Sequence, residues 1–262
     1  MDLSPFERVG IIGLGAIGGS VALAAKRRWP SVRITACDPA PISHEAVAQG
    51  LVAALVTTPA ELAACDLIII ATPIPAVPGV IGQVSHASLG ALVVDAASTK
   101  RIVMDAAGAS RLAFVGGHPV VATNGVGLGA ARADLFDGRP WLLVSSGRAD
   151  EAREAMLATF IVGLGARPEW TDAVTHDRVM AHVSHAPHVV SVALKSARGS
   201  SQPESTPELT NDWDGIVETN ADCIADALTA LAAKLPESAE TLMGTPMVRD
   251  ILYRAATLKA RK

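Results

Sequence analysis

The chain has 262 residues, half of them hydrophobic, and a formal net charge of −4. That is enough apolar material for one large domain or two small ones, and without a long run of either sign it offers no electrostatic footprint for nucleic acid or an anionic membrane. The three cysteines, Cys37, Cys65 and Cys223, lie far apart with no CxxC spacing, which argues against a disulfide framework and fits a reducing compartment.

Residues 1–8 carry no apolar signal-peptide core. The apolar stretches are broken by Gly, Pro or charge well short of the roughly 20 residues needed to span a bilayer. The chain therefore reads as cytoplasmic, with no membrane or nucleic-acid partner. Aromatics make up only 3%, so its core must be built mainly from small and aliphatic side chains.

In chain order, residues 8–12, 32–37, 67–72, 92–97, 112–117 and 141–146 read as strands. Several are apolar without alternation, as expected of strands covered on both faces. Helical patterns fall between most of them, at 16–29, 43–50, 59–64, 75–86 and 99–108. This rhythm predicts an α/β domain over 1–170 with a mostly parallel, doubly wound sheet. From about residue 171 to 262 the pattern is helical, with helices expected at 172–198, 208–234 and 236–260 and a Ser/Pro/Gly-rich loop at 198–208. Helices so rich in alanine need a packing partner, and a homodimer through this second, all-α domain would supply one.

The first strand runs directly into Gly13-Leu14-Gly15-Ala16-Ile17-Gly18, which opens a helix. In a GxGxxG turn the first glycine permits the tight bend, the second lets the backbone approach a pyrophosphate, and the third lets helix and strand pack closely. The helix N-terminus, at Ala16 and Ile17, then offers free N–H groups to phosphate. Asp38 ends the second strand, twenty residues past Gly18. A carboxylate there can accept from the ribose hydroxyls and repels a 2′-phosphate, and Pro39-Ala40-Pro41 supplies no arginine for one. The expected cofactor is NAD rather than NADP. The loop carrying Thr72 and Pro73 follows the third apolar strand and should run beside the cofactor.

Two further clusters could carry chemistry. His118 sits in Gly116-Gly117-His118-Pro119, straight after a predicted strand and on the ligand side of the sheet. Histidine is the side chain best suited to take a proton near neutrality. The second cluster is Thr175-His176-Asp177-Arg178 followed by His182, Ser184, His185, Pro187 and His188. His182, His185 and His188, at i, i+3 and i+6, form a drifting stripe on a helix that Pro187 should kink. A metal site lacks any carboxylate or cysteine at ligand spacing. The stripe reads instead as polar residues facing the cofactor cleft.

These strings, VGIIGLGAIGGSVALA, DAASTK, FVGGHPVVATNGVG, THDRVMAHVSHAPH and, more weakly, WDGIVETN, together resemble the prephenate/arogenate dehydrogenase family of tyrosine biosynthesis. The resemblance implies NAD-dependent oxidative decarboxylation of a cyclohexadienyl acid. The family's catalytic histidine falls on His118 and its substrate-hydroxyl serine on Ser98. His188, with Ser184 and His185 beside it, matches a substrate-binding position, while Thr123 and Trp213 match residues lining the substrate pocket. Only neutral His118 would be reactive, so activity should rise with pH through its titration. Two departures stand out. The family's carboxylate-gripping arginine, nine residues before Trp213, is Glu204 here, leaving Arg198 or a partner subunit's arginine to substitute. Asn124 stands where the family often has an acidic residue, which favours prephenate over arogenate. Two other readings fit the same architecture: a reductase or dehydrogenase acting on an imine, a β-hydroxyacid or a specialised metabolite, and a non-catalytic NAD-binding protein, which would have no need of His118 and Ser98.

Overall fold

The structure is a computed structural model that describes residues 3–39, 46–47, 49–87, 90–123, 125–198 and 212–244. Eight strands form one sheet: β1 (Arg8–Ile12), β2 (Arg33–Cys37), β3 (Ala54–Val56), β4 (Leu67–Ile70), β5 (Leu92–Asp95), β6 (Ala113–Pro119), β7 (Pro140–Ser145) and β8 (Arg167–Thr171). Their order is β3-β2-β1-β4-β5-β6-β7-β8. Every pair is parallel except β6–β7.

The apolar strands feed two cores. Val9, Ile11, Leu67, Ile69, Val94 and Val115 face one layer with Val21, Trp29 and Phe160. Ile12, Ile68, Ile70, Val93 and Phe114 face the other with Val80, Ile81, Val84 and Val103. Successive residues of a strand point to opposite faces, so an unbroken apolar run is what a sheet buried on both sides requires. The first layer is covered by α1 (Ala16–Arg28) and α4 (Glu151–Gly163), and the second by α2 (Val77–Ser85) and α3 (Arg101–Gly108). Among the described residues after β8 the elements are helical: α5 (Ala173–Met180), one wide π turn (Ala181–His185), α6 (Ala186–Arg198) and α7 (Trp213–Gly244).

The expected strands are present, within two residues at most ends, and two more appear at the sheet edges, β3 and β8. Both escape pattern reading for a physical reason. β3 has three residues, and β8 (RPEWT) is largely exposed and carries Pro168, as only an edge strand tolerates. His118 does not follow a strand but lies within β6, opposite Leu142 in the antiparallel pair. Residues 59–62 form a 3-10 turn rather than an α-helix. The expected helix at 43–50 lies mostly outside the described residues, as does the loop at 199–208.

Pro187 has no N–H to donate and its ring crowds the preceding turn. The chain absorbs this by widening the turn just before it, at 181–185, rather than by breaking the helix. The break expected near residue 235 is also displaced. Helix α7 continues through Pro236, and its non-helical residue is Asn220 (φ −138°, ψ 22°). The part of the expected last helix beyond Gly244 lies outside the described residues. The three cysteines are unpaired. Among the described residues no helix is long and apolar enough to cross a membrane.

Candidate active site

The carboxyl ends of β1, β4, β5 and β6 open onto a cleft of about 310 Å³. Its walls include Gly15, Ala16, Ile17, Thr72, Pro73, Ser98, His118 and Thr123. These eight residues come from four separate stretches of sequence, and parallel sheet topology brings them together, since ligands of open α/β sheets lie off the carboxyl ends of the strands.

The floor beside α1 is shaped by glycine. Gly13 adopts φ +92°, and a Cβ there would lie 2.5 Å from the Ala71 carbonyl oxygen. A Cβ on Gly18 would meet the Gly13 carbonyl oxygen at 1.9 Å. Gly15 is different: a Cβ there would meet nothing within 4 Å, because the space beyond it is the open cleft. No side chain caps the N-terminus of α1, so its first N–H groups remain available to an anion. Thr72 Oγ1 is buried in the same wall with no partner. An open glycine cradle, an uncapped helix start and an orphaned hydroxyl fit the phosphates and amide of a dinucleotide. Asp38 accepts the Leu14 N–H through Oδ2 at 2.6 Å, which ties the end of β2 to the glycine turn.

The opposite wall is held by a buried polar network. Asp172 caps α5, accepting the Thr175 N–H at 2.9 Å, and one turn later the helix presents His176 and Asp177, both buried. His118 Nδ1 lies 2.9 Å from His176 Nε2, and His176 Nδ1 lies 2.8 Å from Asp177 Oδ1. Asp177 Oδ1 also accepts the Lys100 N–H at 2.7 Å, and its Oδ2 accepts the Arg101 N–H at 3.0 Å and Arg101 Nε at 3.1 Å. Burial works to raise the Asp177 carboxyl, but these hydrogen bonds outweigh it and hold the group below its ordinary value. Beneath them Lys100 and Asp95, both fully buried, form an ion pair. Asp95 also accepts the backbone N–H groups of Ala97 and Gly117, each at 2.9 Å. The segment carrying Ser98 is thus pinned at both ends.

Burial pushes His118 well below the usual histidine range, and the nearby His176, Lys100 and His185 push the same way. It is neutral at pH 7, and its protonation falls at lower pH than for a free histidine.

The second histidine cluster divides. His182 and Ser184 are exposed, His185 is buried and His188 is half-buried. None of the four is among the residues that line the cleft described above. His188 packs against Trp213 with ring centroids 4.4 Å apart. His185 Nδ1 accepts from Asn220 Nδ2 at 3.2 Å, whose amide also donates to the Asp177 carbonyl at 2.8 Å. Nε2 of both His185 and His188 is buried without a partner. Burial is the first cause lowering both rings, taking His185 to about 4. Among the described residues no three His, Cys, Asp or Glu side chains gather as metal ligands. Asn124 and Glu204 lie outside the described residues, as does the side chain of Arg198.

Asp212 was not singled out by pattern, yet it lines the same cleft and accepts the Ile74 N–H at 2.6 Å. The network residues Asp95, Lys100, His176, Asp177 and Asn220 were legible only as parts of DAASTK, THDR and WDGIVETN, with no role attached.

A family model described as "Prephenate dehydrogenase, nucleotide-binding domain" matches residues 21–169. The prephenate dehydrogenase of Lactococcus lactis subsp. cremoris is 31% identical over 194 residues, 72% of this chain and 53% of that one. The chain thus spans about half the length of that relative. The protein named "Probable prephenate dehydrogenase NovF" from Streptomyces niveus is 34% identical over 256 residues, 89% of this chain and 68% of that one. In fold, the chain is similar to the crystal structure of Aquifex aeolicus prephenate dehydrogenase in complex with hydroxyphenyl propionate and NAD+. The TM-score is 0.81 at 22% identity, covering 97% of this chain and 98% of that one. With more than half its length matched by the family model, and a relative above 30% identity covered over two thirds, the chain belongs to the prephenate dehydrogenase family.

Proposed function

We propose that this protein is an NAD-dependent dehydrogenase that oxidatively decarboxylates prephenate or arogenate, with residues 1–170 binding the dinucleotide and residues 171–262 completing the substrate site. The observation that carries this reading is that His118 and Ser98 line the same cleft as the glycine turn and the Thr72–Pro73 loop.

Residues Gly13, Gly15 and Gly18, the α1 N-terminus at Ala16 and Ile17, Asp38, Thr72 and Pro73 would hold the dinucleotide. When bound, NAD+ supplies the hydride acceptor. His118, neutral, takes the proton of the ring hydroxyl through one imidazole nitrogen. Ser98 hydrogen-bonds the same oxygen and fixes it against the base. As the ring carboxylate departs as carbon dioxide, its bonding electrons aromatise the ring, and His118 returns its proton to the phenolic oxygen. Thr123, Ser184, His185, His188, Trp213 and Arg198 are assigned to the substrate. The unpartnered Nε2 atoms of His185 and His188, beside Trp213, support that assignment. The exposed apolar side chains Val192 and Leu194 on α6 and Leu231 and Leu235 on α7 support a homodimer through the helices.

Asp212 favours arogenate as the second substrate reading. A carboxylate in the cleft wall attracts an ammonium group and repels the corresponding keto acid, opposing the preference drawn from Asn124.

The test is purified protein with prephenate or arogenate and NAD+, following reduced-nicotinamide absorbance. Turnover of one of the two acids is expected, with the acid limb of kcat/KM below pH 6.5 because burial lowers His118. His118→Asn should lower kcat by about 10² to 10⁴ and leave NAD+ affinity within about twofold, since no assigned dinucleotide contact is altered. Turnover of neither acid refutes the substrate reading, and a fully active His118→Asn refutes the base.

A further inference from the structure

Two residues outside the cleft bear on how the base works. A histidine used as a base needs its proton on the ring nitrogen turned away from the substrate, and the hydrogen bond made by that nitrogen decides the tautomer. The proton positions are set from the far end of the network, at Asp177. Asp177 has four acceptor interactions: the Lys100 N–H and His176 Nδ1 on Oδ1, and the Arg101 N–H and Nε on Oδ2. It is held ionised and can only accept. His176 Nδ1 must therefore be the protonated nitrogen of a neutral ring, so His176 Nε2 carries a lone pair. That lone pair faces His118 Nδ1 at 2.9 Å, and two lone pairs would repel there. His118 Nδ1 must donate.

We propose that His176 and Asp177 are positioning residues that hold the His118 proton on Nδ1, leaving Nε2 as the only nitrogen able to take a proton in the cleft. This rests on the reading of His118 as the base. The relay also serves the charged state. When His118 becomes an imidazolium, its Nδ1–H already points at an acceptor, with an anionic carboxylate behind it. Lys100 and His185 also face the pair, and both oppose protonation of His118, while Asp177 and Asp95 favour positive charge on His176 beside it. Neither His176 nor Asp177 lines the cleft, so what either does to the proton transfer is done through His118.

Long-range ¹H–¹⁵N correlation spectra of the full chain with NAD+ bound report the tautomer directly. The wild type is expected to show His118 protonated on Nδ1. His176→Leu removes the acceptor and should move the His118 proton to Nε2, lowering kcat at least tenfold while KM for NAD+ and for the turned-over acid stays within about twofold. His176→Gln places an amide oxygen near the lost Nε2 and should restore the Nδ1–H form and most of kcat. A merely structural role would move KM and stability in both variants and leave the tautomer unchanged. The proposal is overturned if wild-type His118 carries its proton on Nε2, or if His176→Leu keeps both the Nδ1–H form and kcat. Should His176→Leu fail to fold, the wild-type spectrum and His176→Gln decide the matter. Since the tautomer is read without turnover, its outcome stands apart from that of the His118→Asn assay.

Discussion

Replacing Lys100 with methionine should destabilise the protein by about 3 kcal/mol, at the low end of the 3–5 kcal/mol typical of breaking a buried ion pair. Both side chains of the Lys100–Asp95 pair are 0% exposed. Methionine fills much of the volume of the lysine stem, so little cavity is added. What remains is a carboxylate in the core without its cation. Two backbone donors stay on it, from Ala97 and Gly117 at 2.9 Å, and hydrogen bonds to a charged group offset about 1.5–3 kcal/mol each. That residual support places the loss at the lower bound. For a chain of this size the melting temperature should fall by about 10 °C. The double variant Asp95→Asn/Lys100→Met removes both charges and should recover at least half of the loss. Urea unfolding followed by circular dichroism at pH 7.5 measures all three proteins. A single-variant loss below about 1 kcal/mol, or a double variant less stable than the single, would show that the pair is not an uncompensated charge when halved.

Acid stability and cofactor choice give two further tests. The folded-state value of His185 is about 4, against 6.5 for the free group, so the unfolded chain binds the proton first as pH falls. The stability from keeping this ring neutral is complete above pH 6.5 and declines towards pH 4, by up to about 3 kcal/mol. The urea midpoint should therefore drop between pH 7.5 and 5, and His185→Gln should flatten that slope; an unchanged slope would refute the assignment. Asp38→Ala should weaken NAD+ binding far more than NADP+ binding in fluorescence titration. Part of the loss common to both cofactors will come from the Leu14 N–H it leaves without its acceptor, and equal losses would refute the ribose role.

The sheet was legible because parallel strands buried on both faces must be apolar at every position. Ile68 and Ile70 serve one core while Leu67 and Ile69 serve the other, and no polar residue interrupts them. The edges were not legible, since the three residues of β3 and the exposed RPEWT of β8 carry no such constraint. The glycine turn could be read residue by residue, for each glycine answers a local steric demand. His118 was found as a type of residue in the right region but misplaced by one element, because β6 runs on to Pro119 against an antiparallel neighbour whose pairing is not local. The stripe His182, His185 and His188 was read as one face, and a single π turn before Pro187 divided it between solvent and core. Asp212 was invisible to pattern: one acidic residue beside a tryptophan has no period, and only the packing of α7 against the Ile74 turn brings it to the cleft.

The segment THDRVMAHVSHAPH and the glycine turn answer different demands. The glycine turn solves a problem set by any dinucleotide, using backbone within one βα unit. Asp177 solves a problem set by this site alone. Its carboxylate holds the N–H groups of Lys100 and Arg101 next to Ser98, its carbonyl receives Asn220 of α7, and through His176 it reaches His118 in β6. Arg101 extends the same anchor to Asp222 at 2.5 Å. One residue, through its carboxylate and its backbone carbonyl, therefore ties together the Ser98 loop, His118 and the helix that carries Trp213. Displacements near 1 Å between reacting groups can lower rates a hundredfold. A residue that ties three segments to one point is thus constrained by all of them at once, and no other side chain has the length, the charge and the four acceptor sites to replace it.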